Sequence, residues 1–131
     1  SAFAECYRLT TITIPDSVTS IGYSAFTSCN GLTTVTIGSG VTSIGKAAFS
    51  WCNSLTNVTI GTSVTSIDKT AFSYCDRLNS IVFEDTDTWY TTKYEYEWTN
   101  QIDGIETDVT DSSVNATYFT NTYKDHYWYK K

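Results

Sequence analysis

Apolar side chains recur along residues 1–83 with a step of 23 residues. Three of the recurring columns hold a single residue type each, and their members are Phe3, Phe26, Phe49 and Phe72, then Cys6, Cys29, Cys52 and Cys75, then Leu9, Leu32, Leu55 and Leu78. Columns that share one period identify an internal repeat. Its units are 1–23, 24–46 and 47–69, followed by a partial unit, 70–83. We expect the three columns to form the ladder of the core.

Each unit contains three short segments with different apolar patterns. The first, L-x-x-[IV]-x-[IF], ends in alternation and predicts a strand with Ile12 and Ile14 inward and Thr11 and Thr13 outward in the first unit. The second, V-T-S-I, predicts another short strand or a turn on the opposite side of the coil. The third, A-F-x-x-C, has apolar residues at i, i+1 and i+4, which predicts one turn of tight helix.

Stacking of the units is required because 23 residues cannot bury their apolar side chains alone. We expect the strands to lie side by side at ~4.8 Å, as in a parallel sheet. The pattern therefore predicts a parallel solenoid that is mostly β, with short helical turns. The phrase AFxxCxxLxxITIPxxVTSIGxxAFxxC, written by Ala2–Cys29, resembles the BspA-like (Treponema-type) leucine-rich repeats of surface proteins from host-associated anaerobic bacteria.

The resemblance covers residues 1–83 and implies a leucine-rich-repeat-type solenoid. It also implies a non-catalytic, secreted or cell-surface protein that mediates adhesion, with a host extracellular-matrix or cell-surface protein as its partner. Gly38 and Gly61 stand where the first unit has Pro15, an exchange that a turn accepts. The last unit lacks V-T-S-I after Phe83, which marks the end of the array.

Residues 84–131 differ from the repeats in charge and in aromatic content. Acidic and basic residues balance in 1–83, whereas ten acidic residues and four lysines in 84–131 account for the net charge of −6. Seven of the ten tyrosines and three of the four tryptophans also lie there. Because an open solenoid end exposes core side chains and strand edges, this region is expected to be an aromatic, β-rich C-terminal cap.

Local patterns within residues 84–131 predict the elements of the cap. Aromatic alternation over residues 89–98 predicts strands, and Gly104 marks a turn. Asp111 and the two following serines are expected to cap a short helix that runs to Tyr123. Tyr127–Tyr129 is expected to return as an edge strand flanked by lysines. The aromatic side chains expected to pack against the last coil are Trp89, Tyr94, Tyr96 and Trp98.

The chain begins inside an A-F-x-x-C segment, which predicts that it is a fragment of a longer repeat protein. Phe3, Cys6 and Leu9 then lie in a first coil whose outer side has no neighbour. Such a coil exposes an apolar end and an open strand edge. We therefore expect self-association through the N-terminal coil.

Composition excludes two classes of protein. Hydrophobic residues make up 40% of the chain and charged residues 17%, but no apolar run approaches the ~20 residues of a membrane span. The net charge of −6 opposes the basic surface of a nucleic-acid-binding protein. We expect neither a membrane span nor a nucleic-acid partner.

Candidate chemistry is sparse. The four cysteines favour a column of free core thiols, although neighbours ~5 Å apart leave a disulfide open, and a column without histidines gives no zinc cage. His126 lies beside Asp125 without a nucleophile motif, which favours a solvated or packed histidine. The acidic groups Glu84 to Asp87 and Asp103 to Asp111 lack the spacing of a calcium loop. We predict no enzyme, metal or cofactor.

Outward positions of the long strands form the candidate binding surface, the strand face, which consists of Thr11, Thr13, Thr34, Thr36, Asn57, Thr59 and Ser80. Threonine also favours strands on a solvated face, so a structural role and an outline like that of ice-binding solenoids stay open. Two further alternatives are that residues 84–131 only terminate a longer array, and that Trp98 and Trp128 bind carbohydrate.

Overall fold

The first 83 residues wind into successive coils, each with a four-residue strand on one side. The computed structural model describes residues 2–100 and 104–131. The long strands form a parallel sheet in the order β1 (Thr11–Ile14), β3 (Thr34–Ile37), β5 (Asn57–Ile60) and β7 (Ser80–Phe83). Two-residue strands on the other side are β2 (Ser20–Ile21), β4 (Ser43–Ile44) and β6 (Ser66–Ile67).

Neighbouring strands pair with an offset of one repeat unit. Thr11 lies opposite Thr34, Thr34 opposite Asn57, and Asn57 opposite Ser80. Equivalent positions therefore form columns along the solenoid. Inward residues such as Val58 are buried between the two sheets. The predicted fold, a parallel solenoid of stacked strands, is confirmed.

The phenylalanine column is a continuous stack in the core. Ring centroids are 5.3 Å apart between Phe3 and Phe26, 5.1 Å between Phe26 and Phe49, and 5.3 Å between Phe49 and Phe72, with nearly parallel planes. Beside it, Leu55 of the third coil is fully buried. Both columns gain stability from apolar area removed from water, about 25 cal/mol per Å².

The cysteine column lies next to the phenylalanines. Each buried cysteine donates its S–H to the carbonyl oxygen of the phenylalanine one coil earlier, at Sγ–O distances of 3.1 to 3.2 Å. All four thiols are free. The column thus serves as a line of small buried side chains with weak hydrogen bonds between coils.

The A-F-x-x-C corner differs from the expected turn of helix. Ser24 and Ser28 adopt left-handed φ angles of 50° and 58°, which interrupt a helix. Cys29 N–H bonds back to the Phe26 carbonyl at 3.4 Å, whereas Phe26 N–H bonds to the Ala48 carbonyl of the next coil at 2.7 Å. The corner therefore contributes hydrogen bonds between coils that a helix would have kept within itself.

Glycine after the long strand allows the coils to approach each other. A Cβ atom at Gly61 would lie 2.5 Å from the carbonyl oxygens of both Gly38 and Ile37 in the preceding coil. Contacts that short are not tolerated by backbone atoms, so a larger residue at Gly61 would push the turns apart.

Residues 84–131 extend the core beyond the last coil. In chain order they contain β8 (Trp89–Thr92), α1 (Glu95–Asn100), β9 (Ile105–Thr107), α2 (Ser112–Thr117), a π-helical turn (Tyr118–Thr122) and β10 (Tyr127–Tyr129). Phe83 contacts Trp89 edge-on at 5.0 Å between centroids, and Phe119 stacks on Trp128 at 4.3 Å. This aromatic cluster covers the apolar side of the fourth unit.

Strand β10 is not an edge strand, contrary to expectation. It pairs antiparallel with β6, where Trp128 lies opposite Ile67, and on its other side with β8. The second sheet has the order β2-β4-β6-β10-β8-β9. Because the fourth unit lacks V-T-S-I, the outer edge of β6 would otherwise be unpaired, and β10 takes the missing position from the other end of the chain.

Helix α1 replaces the second half of the expected aromatic strands. Thr92 Oγ1 accepts a hydrogen bond from Tyr94 N–H at 3.1 Å, and its hydroxyl donates to Glu97. The two hydrogen bonds join the end of β8 to the start of α1. Tyr94, expected to pack against the last coil, is 66% exposed. The side chain of Tyr96 lies outside the described part of the structure.

Helix α2 begins directly after Asp111, the capping residue predicted from the sequence. Asp111 Oδ1 accepts hydrogen bonds from the backbone N–H groups of Ser113 at 2.9 Å and Val114 at 3.1 Å. The buried Asn115 amide then donates to the Ile81 carbonyl of β7 at 2.9 Å. This contact satisfies an edge carbonyl of the long-stranded sheet after its last strand.

Candidate binding surface

The seven strand-face residues lie together on the outer side of the long-stranded sheet. The register places Thr11, Thr34, Asn57 and Ser80 in one column, and Thr13, Thr36, Thr59 and the exposed Val82 in the other. Their side chains alternate with the buried residues of the same strands. The result is a regular polar surface, two columns wide. Its side chains are not part of the apolar core.

Threonines beside the strands have a different role from those on the strand face. Thr33 donates its hydroxyl to the Thr10 carbonyl at 3.0 Å, and Thr56 donates to the Thr33 carbonyl at 3.1 Å, one coil apart. Within residues 2–100 and 104–131, the strand-face hydroxyls form no hydrogen bond with the protein, while the Asn57 amide oxygen accepts one from Thr56. The strand-face hydroxyls are therefore free to bond with a ligand or with water.

One end of the strand face opens into a groove of about 490 Å³. Thr13 and Thr36 line it together with the acidic residues Asp16 and Glu84. Asp16 Oδ1 accepts a hydrogen bond from Ser39 N–H at 2.8 Å, which fixes its carboxylate beside the turn of the next coil. A partner that reaches past the threonine columns would meet negative charge here.

Two of the buried thiols, Cys29 and Cys75, are unsuited to nucleophilic chemistry. Burial raises the pKa of Cys29 to about 11. Hydrogen bonding with Cys52 and burial together raise the pKa of Cys75 well above the usual range. Because the thiolate is the reactive form, both side chains are protonated and inert at neutral pH.

Alkylation of native protein at pH 7 is expected to modify one thiol, Cys6. This side chain is half-buried in the first coil, whereas Cys29, Cys52 and Cys75 are fully buried. Mass spectrometry after treatment with a maleimide should find one adduct per native chain and four in urea. Modification of Cys52 as fast as Cys6 would contradict the packing of the column.

The single histidine is part of the packing of residues 84–131. His126 is buried, with its ring edge-on to Tyr123 at 4.8 Å between centroids. Burial, and to a lesser degree Lys93, lower the pKa of His126, while Asp125 opposes the shift. His126 also lines a pocket of about 240 Å³ together with Lys93 and Glu97.

Acidic residues do not converge in the described part of the chain. Among residues 2–100 and 104–131, no three His, Cys, Asp or Glu side chains are grouped to hold a metal ion. Asp103, one member of the acidic groups in the sequence, lies outside these ranges. Neither of the described α-helices is long and apolar enough to cross a membrane.

The aromatic side chains considered for carbohydrate binding are packed to different degrees. Trp128 is fully buried, so its indole cannot stack on a sugar. Trp98 is half-buried and stacks on Tyr127 with centroids 4.5 Å apart. Of the two tryptophans considered for carbohydrate binding, Trp128 is therefore excluded by its burial.

An exposed aromatic pair in the repeats was missed by the sequence analysis. Trp51 and Tyr74 stack on each other with ring centroids 4.2 Å apart, and each is 50% exposed. They occupy the second x of A-F-x-x-C, where earlier units have Glu5 and Ser28. The 23-residue alignment holds the signal, since two aromatic residues in one outward column of adjacent units must be neighbours.

Comparisons with known proteins agree with the geometry. The BspA type leucine-rich repeat region matches residues 1–124 with six copies. Among solved structures, a leucine-rich repeat protein of T. pallidum is 26% identical with a TM-score of 0.56, over 60% of this chain and 39% of that chain. A leucine-rich cell surface protein of Faecalibacterium prausnitzii is 21% identical with a TM-score of 0.29, over 79% of this chain and 46% of that one. No curated protein matches.

The family match extends beyond the regular repeat units. It covers all of the regular units and continues into the region that carries α1, α2 and β9. The chain spans about two-fifths of the T. pallidum protein and less than half of the F. prausnitzii protein. The coil geometry, the repeat period and the family match agree, and the chain belongs to the BspA-type leucine-rich repeat family.

Proposed function

We propose that this chain is a non-catalytic binding module of a secreted or cell-surface protein, and that its strand face contacts an extracellular-matrix or cell-surface protein of a host. The observation that carries the proposal is the pair of outward columns whose hydroxyls have no partner within the described protein. Unpaired hydroxyls on a rigid sheet can bond with a partner without losing bonds inside the protein. The extracellular location rests on the family resemblance.

The chemistry of the strand face suits contact rather than reaction. Its seven residues are uncharged and short, so binding would come from many weak hydrogen bonds and methyl contacts repeated at the spacing of the coils. The buried His126 and the protonated thiols of Cys29 and Cys75 supply no general base or nucleophile beside it. Surface complementarity over several coils is the mechanism that these features support.

Binding by this chain separates the proposal from a role in terminating an array. The chain is passed over immobilised collagen, laminin and fibronectin, with a longer array from the same family as a positive control. We expect saturable binding by the chain to at least one of the three coats. If only the longer array binds, the strand face of this chain is not a contact surface and termination is the function.

A second candidate function is self-association through the first coil. Phe3 is 51% exposed, and with Ile12, Val18 and Phe26 it lines an apolar cavity of about 350 Å³ at the open end of the solenoid. Another copy of the chain would cover this end and pair with the free edge of β1.

Sedimentation velocity tests this association directly. The chain is expected to sediment increasingly as a dimer as its concentration rises, and Phe3→Asp is expected to sediment as a monomer, because a buried carboxylate opposes the contact. Tyr94→Asp, at an exposed site in the other half of the chain, is the matched control. A wild-type monomer at all concentrations would exclude the contact.

A further inference from the structure

The strongest feature outside the strand face is the aromatic pair, Trp51 and Tyr74. The two rings lie on the ridge formed by the A-F-x-x-C corners, with planes 16° apart. Lys124 covers the outer side of Tyr74, its Nζ lying 5.9 Å from the ring centroid. Among residues 2–100 and 104–131, no cation and no second ring lies over the other face of Trp51, and the residue in its column one coil earlier is Ser28.

The direction of stacking determines which face of the Trp51 indole Tyr74 leaves uncovered. The coils stack along one axis, and two rings from adjacent coils that lie face to face must have their normals close to that axis. One face of Trp51 is therefore covered by Tyr74, and the other is directed toward the second coil. Ser28 has a short side chain and Trp51 is 50% exposed, so a flat ring placed on this face would continue the stack.

The backbone makes this position unfavourable for large side chains. Trp51 and Tyr74 have φ angles of 62° and 61°, and Glu5 and Ser28 in the same column have 61° and 58°. The coil geometry thus imposes a left-handed conformation that suits asparagine or glycine and is costly for bulky residues. Two aromatic residues in this conformation, half-exposed to solvent, are not explained by packing of the core.

The residues near this indole face in the sequence are polar. Asn30 and Asn53 follow the buried cysteines of the second and third coils and are exposed, and Ser28 is partly exposed. An indole face bordered by amide and hydroxyl groups suits a ligand with one apolar face and a polar edge. A protein partner would require a wider apolar surface around the indole to form a stable interface.

We propose that the free face of Trp51 is a carbohydrate-binding subsite that stacks on a hexopyranose ring with equatorial hydroxyls, as in β-linked glucose or N-acetylglucosamine. The axial C–H bonds of such a ring form a flat apolar face that packs on the indole, and its hydroxyls reach the border residues Ser28, Asn30 and Asn53. Tyr74 and Lys124 support the indole from behind. This subsite is separate from the strand face and does not depend on it.

Titration with cellotetraose and chitotetraose, followed by the indole N–H signals in ¹H–¹⁵N NMR spectra, tests the subsite. We expect one of the four indole signals to shift in a saturable way with at least one oligosaccharide, and that signal to be absent in Trp51→Asn. Sorbitol, which has the hydroxyls without a ring face, should cause no such shift. Trp51→Asn should weaken binding roughly tenfold or more.

The melting temperature of Trp51→Asn and a substitution that covers the indole make the test specific. Because asparagine tolerates the left-handed backbone, Trp51→Asn should change the melting temperature by less than about 5 °C. Ser28→Arg should place a guanidinium on the indole and abolish binding with both rings present. Tyr23→Asn, at another exposed aromatic of the repeats, is the matched control and should bind normally.

Three results would overturn the proposal. The first is the absence of saturable shifts with both oligosaccharides up to ~20 mM, a limit beyond which the contact would have no useful affinity. The second is unchanged affinity in Trp51→Asn or Ser28→Arg. The third is loss of binding to a protein coat, without any sugar affinity, in Trp51→Asn, which would assign the aromatic pair to a protein partner.

Discussion

Leu55→Ala is expected to lower the free energy of unfolding by ~2–5 kcal/mol. Leu55 is fully buried in the third coil, between the equivalent leucines of the second and fourth units. The hydrogen bonds between coils hold the backbone above and below it, so the cavity left by the substitution cannot collapse. Urea unfolding followed by circular dichroism measures the loss, which is a large fraction of the total stability of a domain.

A strand-face substitution is the control for this effect. Thr36→Ala removes a hydroxyl that has no partner within the described protein, and we expect a change of less than about 0.5 kcal/mol. Equal losses in Leu55→Ala and Thr36→Ala would mean that the inward and outward sides of the long strands have been assigned incorrectly.

Trp128→Ala is expected to lower the free energy of unfolding by ~3–5 kcal/mol, because it removes the large buried side chain at the centre of β10. The indole is fully buried and stacks on Phe119, 4.3 Å away between centroids. Its loss weakens the strand that covers β6, so the repeats should be destabilised together with residues 84–131. The urea midpoint of the chain should fall in a single transition.

Trp51→Ala provides the comparison at an exposed indole, where we expect a loss below about 1.5 kcal/mol. If Trp128→Ala instead leaves the urea midpoint unchanged, β10 is not an integral strand of the second sheet. Two separate transitions, with only the smaller one affected, would mean that residues 84–131 fold independently of the coils.

The repeat period made the solenoid predictable in detail. A step of 23 residues in the Phe, Cys and Leu columns determines which residues become neighbours, and the alternation around Ile12 and Ile14 determines which side of the strand faces the core. The observed pairing of Thr11 with Thr34 follows from these two facts. The positions of the strand-face residues could be predicted for the same reason.

The region after the repeats was less predictable because its contacts are long-range. Tyr127–Tyr129 has the composition of an edge strand, and nothing local indicates that it inserts between β6 and β8. The segment Glu95–Asn100 shows aromatic alternation, yet it is a helix whose first turn bonds through Glu97 to Thr92 of β8. In both cases contacts outside the segment outweigh its local pattern.

The aromatic pair was missed for a different reason. Trp51 and Tyr74 interrupt no pattern of the core, and their column contains four unlike residues, so a search for conserved columns passes over it. The left-handed φ angles, which make the column unusual, are visible only in the coil geometry.

Matched charge substitutions on the two sheets test most directly whether the strand face is the contact surface. Thr36→Arg with Thr59→Arg alters the long strands, and Ser43→Arg with Ser66→Arg alters outward positions of the short strands on the opposite side. Affinity for the matrix protein that binds wild type is measured for both. We predict a loss of at least tenfold for the threonine pair and little change for the serine pair. Equal affinities, or a loss only in the serine pair, would mean that the strand face is not the contact surface.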